Sequence, residues 1–126
     1  MRATLLFDTT FFSDYESEII GGRMGPARRF MRKMAEARGF VSVVTIAEYY
    51  ERFGREAAGR LATNYATLGV HLADALKCGE IQKRHAAKRL GENDAWLAAQ
   101  AMRAGATLVT RDKRFKDVRG LSVAGY

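Results

Sequence analysis

The sequence predicts an α/β fold, a mostly parallel sheet with helices on both faces. Short apolar runs alternate along the chain with longer segments whose apolar residues recur at helical spacing. Strands separated by helices in this way pair in parallel. The chain has 126 residues, with no internal repeat, low-complexity tract or Pro/Gly/Ser linker, so one domain over residues 1–126 is expected.

The elements follow in order. Thr4–Phe7 (TLLF) reads as a buried strand, and a short helix follows near Thr10–Glu16. Pro26, the one proline, suits a first helical turn. Ala27, Phe30, Met31, Met34 and Ala35 then extend a helix over Pro26–Arg38, stopped by Gly39. Phe40–Val44 (FVSVV) is rich in β-branched residues and reads as the second strand. A helix begins over Ile46–Arg52, breaks at Gly54 and resumes to about Tyr65. Leu68–Leu72 (LGVHL) is a further strand candidate, and Asp74–His85 a helix with Asp74 near its start. Glu92–Ala104 is a helix ended by Gly105. Ala106–Thr110 (ATLVT) and a short Leu121–Ala124 complete the strands.

Composition narrows the function. Lys and Arg number 21 against 14 Asp and Glu, a formal charge of +7, which points to a polyanionic partner such as nucleic acid or an acidic protein. The lone Cys78 has no internal disulfide partner and no histidines at metal-ligand spacing. The apolar run in MRATLLFDTT is too short for a signal peptide, and no stretch approaches the ~18 apolar residues of a membrane span. The expectation is a soluble, cytoplasmic protein with no membrane partner.

Ligand sites in parallel sheets lie beyond the carboxyl ends of the strands, and acids stand there. TLLF leads into Asp8, FVSVV leads through Thr45 to Glu48, and ATLVT leads through Arg111 to Asp112. Asp94 lies near the start of the helix before ATLVT. Helical spacing puts it on the same inward face as Leu97, Ala98 and Ala101, where an unpaired charge is costly. Carboxylates brought together repel and need a counter-charge. An oxygen-only set selects a hard cation, Mg²⁺ or Mn²⁺, and such ions activate water and stabilise charge on a phosphoryl oxygen. Each acid also has a plainer reading. Asp8 can cap its helix, and Thr45-x-x-Glu48 matches a capping box, the favoured reading for Glu48 taken alone. Asp94 can favour the positive helix end with Asn93 as cap, and Asp112 can shape a turn or pair with Arg111 or Arg114.

Four stretches, FDTTFFSDY, SVVTIAEYYER, LGENDAWLAAQAMRAGATLVTRDKRF and VRGLSV, make the chain resemble, over its whole length, the PIN-domain ribonucleases. The likeness is to the VapC-type toxins of bacterial toxin–antitoxin pairs in particular. The resemblance implies a three-layer α/β sandwich on a sheet of four or five strands. It implies a Mg²⁺-dependent endoribonuclease cutting structured or translating RNA. It also implies a homodimer, and a cognate antitoxin that blocks the site with an extended C-terminal segment. The family's metal-binding acids fall on Asp8, Glu48, Asp94 and Asp112, the residues the strand ends had singled out. Thr110 matches the hydroxyl residue beside the last acid, and Asn93 the frequent neighbour of the third. Thr10 departs from the pattern, which commonly has Asn there.

In the resulting assignment Asp8, Asp94 and Asp112 are the leading metal ligands, Glu48 acts through a water, and Thr110 orients an acid or the nucleophilic water. Arg84, Lys88 and Arg89 precede Asp94, and Arg111, Lys113 and Arg114 surround Asp112. These cations suit RNA phosphates, and a solvated loop explains them equally well. Two alternatives belong to other classes. A receiver-like phospho-acceptor domain shares the sheet, the acids and Mg²⁺, but the expected acid pair and late lysine are not evident. A non-catalytic RNA-binding module uses the basic surface and leaves the acids unexplained.

Overall fold

The computed structural model describes residues 2–126. Its centre is TLLF, the strand β1 (Thr4–Phe7), whose Leu5, Leu6 and Phe7 are all buried. A strand covered on both faces has no use for alternating polar residues, which is why this run is uniformly apolar. The other strands are β2 (Arg38–Ser42), β3 (Ala66–Leu68), β4 (Thr107–Val109) and β5 (Ser122–Ala124). They form one five-stranded sheet in the order β3-β2-β1-β4-β5, and every pairing is parallel.

Six helices link the strands: α1 (Thr9–Ile20), α2 (Pro26–Lys33), α3 (Val43–Phe53), α4 (Arg55–Asn64), α5 (Leu72–Arg84) and α6 (Glu92–Ala104). Strand alternation divides the core in two. Leu6 and Leu108 point to one side, where they meet Leu97, Ala98 and Ala101 of α6 and Cys78 and Ile81 of α5. Leu5, Phe7 and Val109 point to the other, against Phe11 and Phe12 of α1, Ala27 of α2, Tyr49 of α3 and Leu61 of α4. Helices on both faces and an all-parallel sheet are the predicted architecture, with five strands. Among the described residues no helix is long and apolar enough to cross a membrane.

Several boundaries differ from the sequence reading, for local reasons. The first helix runs Thr9–Ile20, longer than the expected Thr10–Glu16, because Asp8 caps it and its first turn is folded onto the core. Helix α2 ends at Lys33 rather than Arg38, and Arg38 and Gly39 begin β2. Gly39 serves the sheet and not a helix stop: a Cβ there would lie 2.9 Å from the Phe7 ring. Strand β2 stops at Ser42, not Val44, because the Ser42 hydroxyl accepts the Val44 N–H and starts α3 at Val43, three residues before the expected Ile46. The third strand is Ala66–Leu68, with Val70 and His71 leading into α5. Helix α6 and its left-handed cap at Gly105 (φ 63°) fall where the sequence put them.

Two buried polar groups hold elements in place. Glu18, at the far end of α1, accepts the N–H groups of Ala27 (3.0 Å) and Arg28 (2.8 Å) and so caps α2 through space. Burial raises its carboxyl, but those donors outweigh burial and hold it below the usual range. Gln100 of α6 accepts from the Ser42 hydroxyl (2.6 Å) and donates to the carbonyls of Leu68 and Gly69. It therefore ties α6 to the carboxyl ends of β2 and β3.

Candidate active site

β1, β2 and β4 all end on the same edge of the sheet because they are parallel neighbours, and the turns after them carry the acids. Asp8 follows β1 directly and is only 6% exposed. Its Oδ1 accepts the Phe11 N–H at 2.8 Å, so it does cap α1. Burial raises its carboxyl above the ordinary value, with the nearby Asp14 and Asp112 adding to the rise. The Thr110 hydroxyl and the Phe11 N–H oppose it. Capping therefore uses one carboxylate oxygen and leaves the other for the site.

Glu48 lies one turn into α3. The capping-box reading fails here. Ser42 is the cap, Thr45 is fully buried inside the helix, and the Glu48 carboxylate faces across to α1. It accepts the Thr9 hydroxyl at 2.8 Å, and Thr9 lies 3.2 Å from the Thr45 hydroxyl. Thr9 and Thr45 thus hold Glu48 toward Asp8's end of the sheet. Sequence reasoning passed over Thr9; the adjoining Thr10 lines the site cavity.

Asp94 sits in the first turn of α6, which Gly91 caps, and Asn93 is exposed. Its carboxyl is pushed up to about 6 by burial, and by Asp112, Glu48 and Asp8, with Arg114 opposing. The like charges of Asp112, Glu48 and Asp8 lie near enough to add to the effect of burial. Asp112 follows β4 and caps a short 3₁₀ turn, Lys113–Asp117. The Arg114 guanidinium beside it holds its carboxyl below the usual range. The Asp112 N–H donates to the Thr110 hydroxyl at 3.0 Å, and the same hydroxyl lowers the Asp8 carboxyl, so Thr110 stands beside the acids that follow β1 and β4.

Asp8, Thr10, Asp94, Arg111, Asp112 and Arg114 line one open cavity of about 440 Å³. Of the six cations read from the sequence as flanking the acids, Arg111 and Arg114 reach it. Arg84 pairs with Glu80 (3.3 Å), while Lys88, Arg89 and Lys113 are exposed and lie outside its lining. Arg111 is engaged by Asp14 at 3.2 Å, and the Tyr126 hydroxyl donates to the same carboxylate at 2.7 Å. Asp14 is a further acid beside Asp8 that sequence reasoning missed. A larger cleft, about 660 Å³ between α1, α3 and α4, lies elsewhere; it is lined by Glu16, Tyr49, Phe53 and Arg60 and by none of the four acids.

The donor set, carboxylates and hydroxyls alone, suits a hard divalent cation. Among the described residues, however, no three acidic, histidine or cysteine groups stand close enough together to hold an ion as they are. Asp94 and Asp112 are drawn onto Arg114, and Glu48 onto Thr9. Asp8, Asp94 and Asp112 line one cavity but are spread within it, and Glu48 lies outside its lining.

The sequence profile of the PIN domain matches residues 5–121. The chain belongs to the PIN-domain family. This PIN domain also superposes on solved toxin–antitoxin structures. With VapBC2 from Rickettsia felis bound to a DNA fragment from its promoter, identity is 17%, coverage is 97% of this chain and 98% of that one, and the TM-score is 0.77. With VapBC-1 from nontypeable Haemophilus influenzae the values are 22%, 97% of each chain and 0.74. With VapC20 of Mycobacterium tuberculosis, described as a Sarcin-Ricin loop cleaving toxin, they are 20%, 89% and 92%, and 0.64. At these identities the likeness is one of fold. No curated protein matches the sequence.

Proposed function

We propose that this PIN domain is an endoribonuclease dependent on Mg²⁺ or Mn²⁺, and the toxin of a toxin–antitoxin pair. The observation that supports the reading is the placement of Asp8, Asp94 and Asp112 around one cavity at the carboxyl edge of the sheet, with Glu48 held nearby by Thr9. Four acids from separate elements are expensive to bring together without a cation to justify it. A purely RNA-binding module has no use for them, and the family match leaves the receiver-like reading without support.

In this reading Asp8, Asp94 and Asp112 hold the cation and Glu48 contributes through a water. The cation, when bound, acts as a Lewis acid on the phosphate and lowers the pKa of a water for in-line attack. Thr110 holds Asp8 and Asp112 in register through its hydroxyl. Thr9 aims Glu48, and Arg111 at the rim faces the incoming phosphate. The net positive charge draws RNA to the site. The antitoxin is suggested by the company the fold keeps, since similar solved structures include one described as a toxin–antitoxin complex and one as a member of the VapBC family of toxin–antitoxin systems. A second copy of the chain covers exposed apolar residues such as Val43, Val70, Leu72 and Leu76, which lie on the segments that follow β2 and β3.

The test is cleavage of total bacterial RNA by purified protein with Mg²⁺, with EDTA, and with the Asp8→Ala variant, the cut ends being read by sequencing. Cleavage only by wild type with metal is expected. Cleavage that persists in EDTA or in Asp8→Ala overturns the reading. Millimolar Mg²⁺ or Mn²⁺ is also expected to raise the melting temperature, since an ion bound only by the folded state stabilises it.

A further inference from the structure

We infer that Arg114 is a built-in competitor of the cation: its guanidinium takes the counter-charge position between Asp94 and Asp112 in the metal-free protein and leaves it when a divalent ion binds. This rests on the metal-dependent reading of the same site. Arg114 Nη2 lies 2.6 Å from Asp112 Oδ2 and 3.3 Å from Asp94 Oδ2, and its Nε lies 3.1 Å from each Asp112 oxygen. One planar fork thus spans two carboxylates on different elements, α6 and the turn after β4. These are the oxygens a shared cation would need, and a guanidinium and a metal ion cannot both take the same lone pairs.

Two further observations make the exchange feasible. The Arg114 side chain is 59% exposed, and an exposed ion pair is weak, so little is lost when it swings into solvent. The turn does not depend on that side chain, because the Arg114 backbone N–H donates separately to Asp112 Oδ1 at 2.9 Å. Arg111, the other cation lining the cavity, is committed to Asp14. Among the described residues Arg114 is therefore the one cation in an ion pair with Asp94 or Asp112. The spread of the acids follows from this. With the guanidinium between them, Asp94 and Asp112 face it rather than a common point with Asp8. Once displaced, the same side chain stands at the cavity mouth with a free charge.

The experiment measures Mn²⁺ binding by calorimetry and melting temperature with and without Mn²⁺, on the full chain as wild type, Arg114→Ala and Arg114→Lys. Arg114→Ala is expected to bind Mn²⁺ about two- to fivefold more tightly at low ionic strength, the usual scale for removing one competing exposed ion pair. The gap should narrow as salt screens it. Arg114→Lys, which keeps the charge but not the fork, should fall between. Arg114→Ala should melt lower than wild type without metal and together with it at saturating Mn²⁺. Equal or weaker Mn²⁺ binding by Arg114→Ala overturns the inference. So does a melting deficit that persists at saturating Mn²⁺, since that marks a structural ion pair only. Binding by none of the three proteins removes the metal reading itself, and the inference with it.

Discussion

Asp74 and Asp94 occupy the same place on neighbouring, packed helices, the first turn of α5 and the first turn of α6. Their environments are opposite. Asp74 is fully buried and fully answered. Its Oδ1 takes the Arg103 Nε at 2.7 Å and its Oδ2 takes the His71 N–H at 2.8 Å. Asp94 has a side chain 31% exposed, one long contact to Arg114 and three acids nearby. The difference teaches that a carboxylate's burial says little about its use. What distinguishes a site is charge left unbalanced by the fold. A structural acid is matched within the chain, whereas Asp94 is held among like charges at a cost that folding alone does not repay.

The largest expected effect separates the pair by activity. Asp94→Asn should lower metal-dependent RNA cleavage at least about 100-fold, since even residues that only orient metal ligands typically cost 10- to 100-fold. It should leave the metal-free melting temperature no lower. Asp74→Asn should do the reverse and lose about 3 kcal/mol in urea unfolding, the scale for breaking a buried ion pair, with cleavage per folded molecule retained. Equal stability losses in the two variants would erase the distinction.

Next in size, Thr9→Val removes the donor that aims Glu48 and should cut cleavage about tenfold, for a stability change of about 1 kcal/mol. A variant as active as wild type would show that Glu48 needs no guide. The smallest effect is in pH. Asp94 ionises near 4 when unfolded and at about 6 when folded, so between those values the folded state holds more protons. The metal-free protein should therefore lose stability as pH rises from about 4 to about 6. Exposure of the group makes the change modest. Urea unfolding across that range should show a shallower fall in Asp94→Asn than in wild type, since Asp8, also raised, still contributes.

Much of this was legible in the residues. TLLF, ATLVT and the Ala-rich run after Asp94 have patterns that local physics nearly dictates, and the acids beside them follow from where strands end in parallel sheets. Glu48 was harder. Thr45 and Glu48 have capping-box spacing, and only the Ser42 cap, which starts α3 earlier, takes that role away. The α2 boundary misled for a similar reason. Gly39 looks like a helix stop, but it is a strand residue that makes room for Phe7. Thr9 and Asp14 were not seen, because one matters through a helix far away in sequence and the other through an arginine beyond β4.

The sequence by itself determined the alternation of strand and helix, the uniformly apolar centre of the sheet and the placement of Asp8, Asp94 and Asp112 at element ends. These are consequences of local spacing and of side-chain type. Only the tertiary structure decided which acids are balanced and which are not: Arg103 reaches Asp74, Thr9 reaches Glu48, and Arg114 stands between Asp94 and Asp112. Those pairings join residues from different elements, and electrostatic energy depends on distance through space, which residue spacing along a chain does not encode.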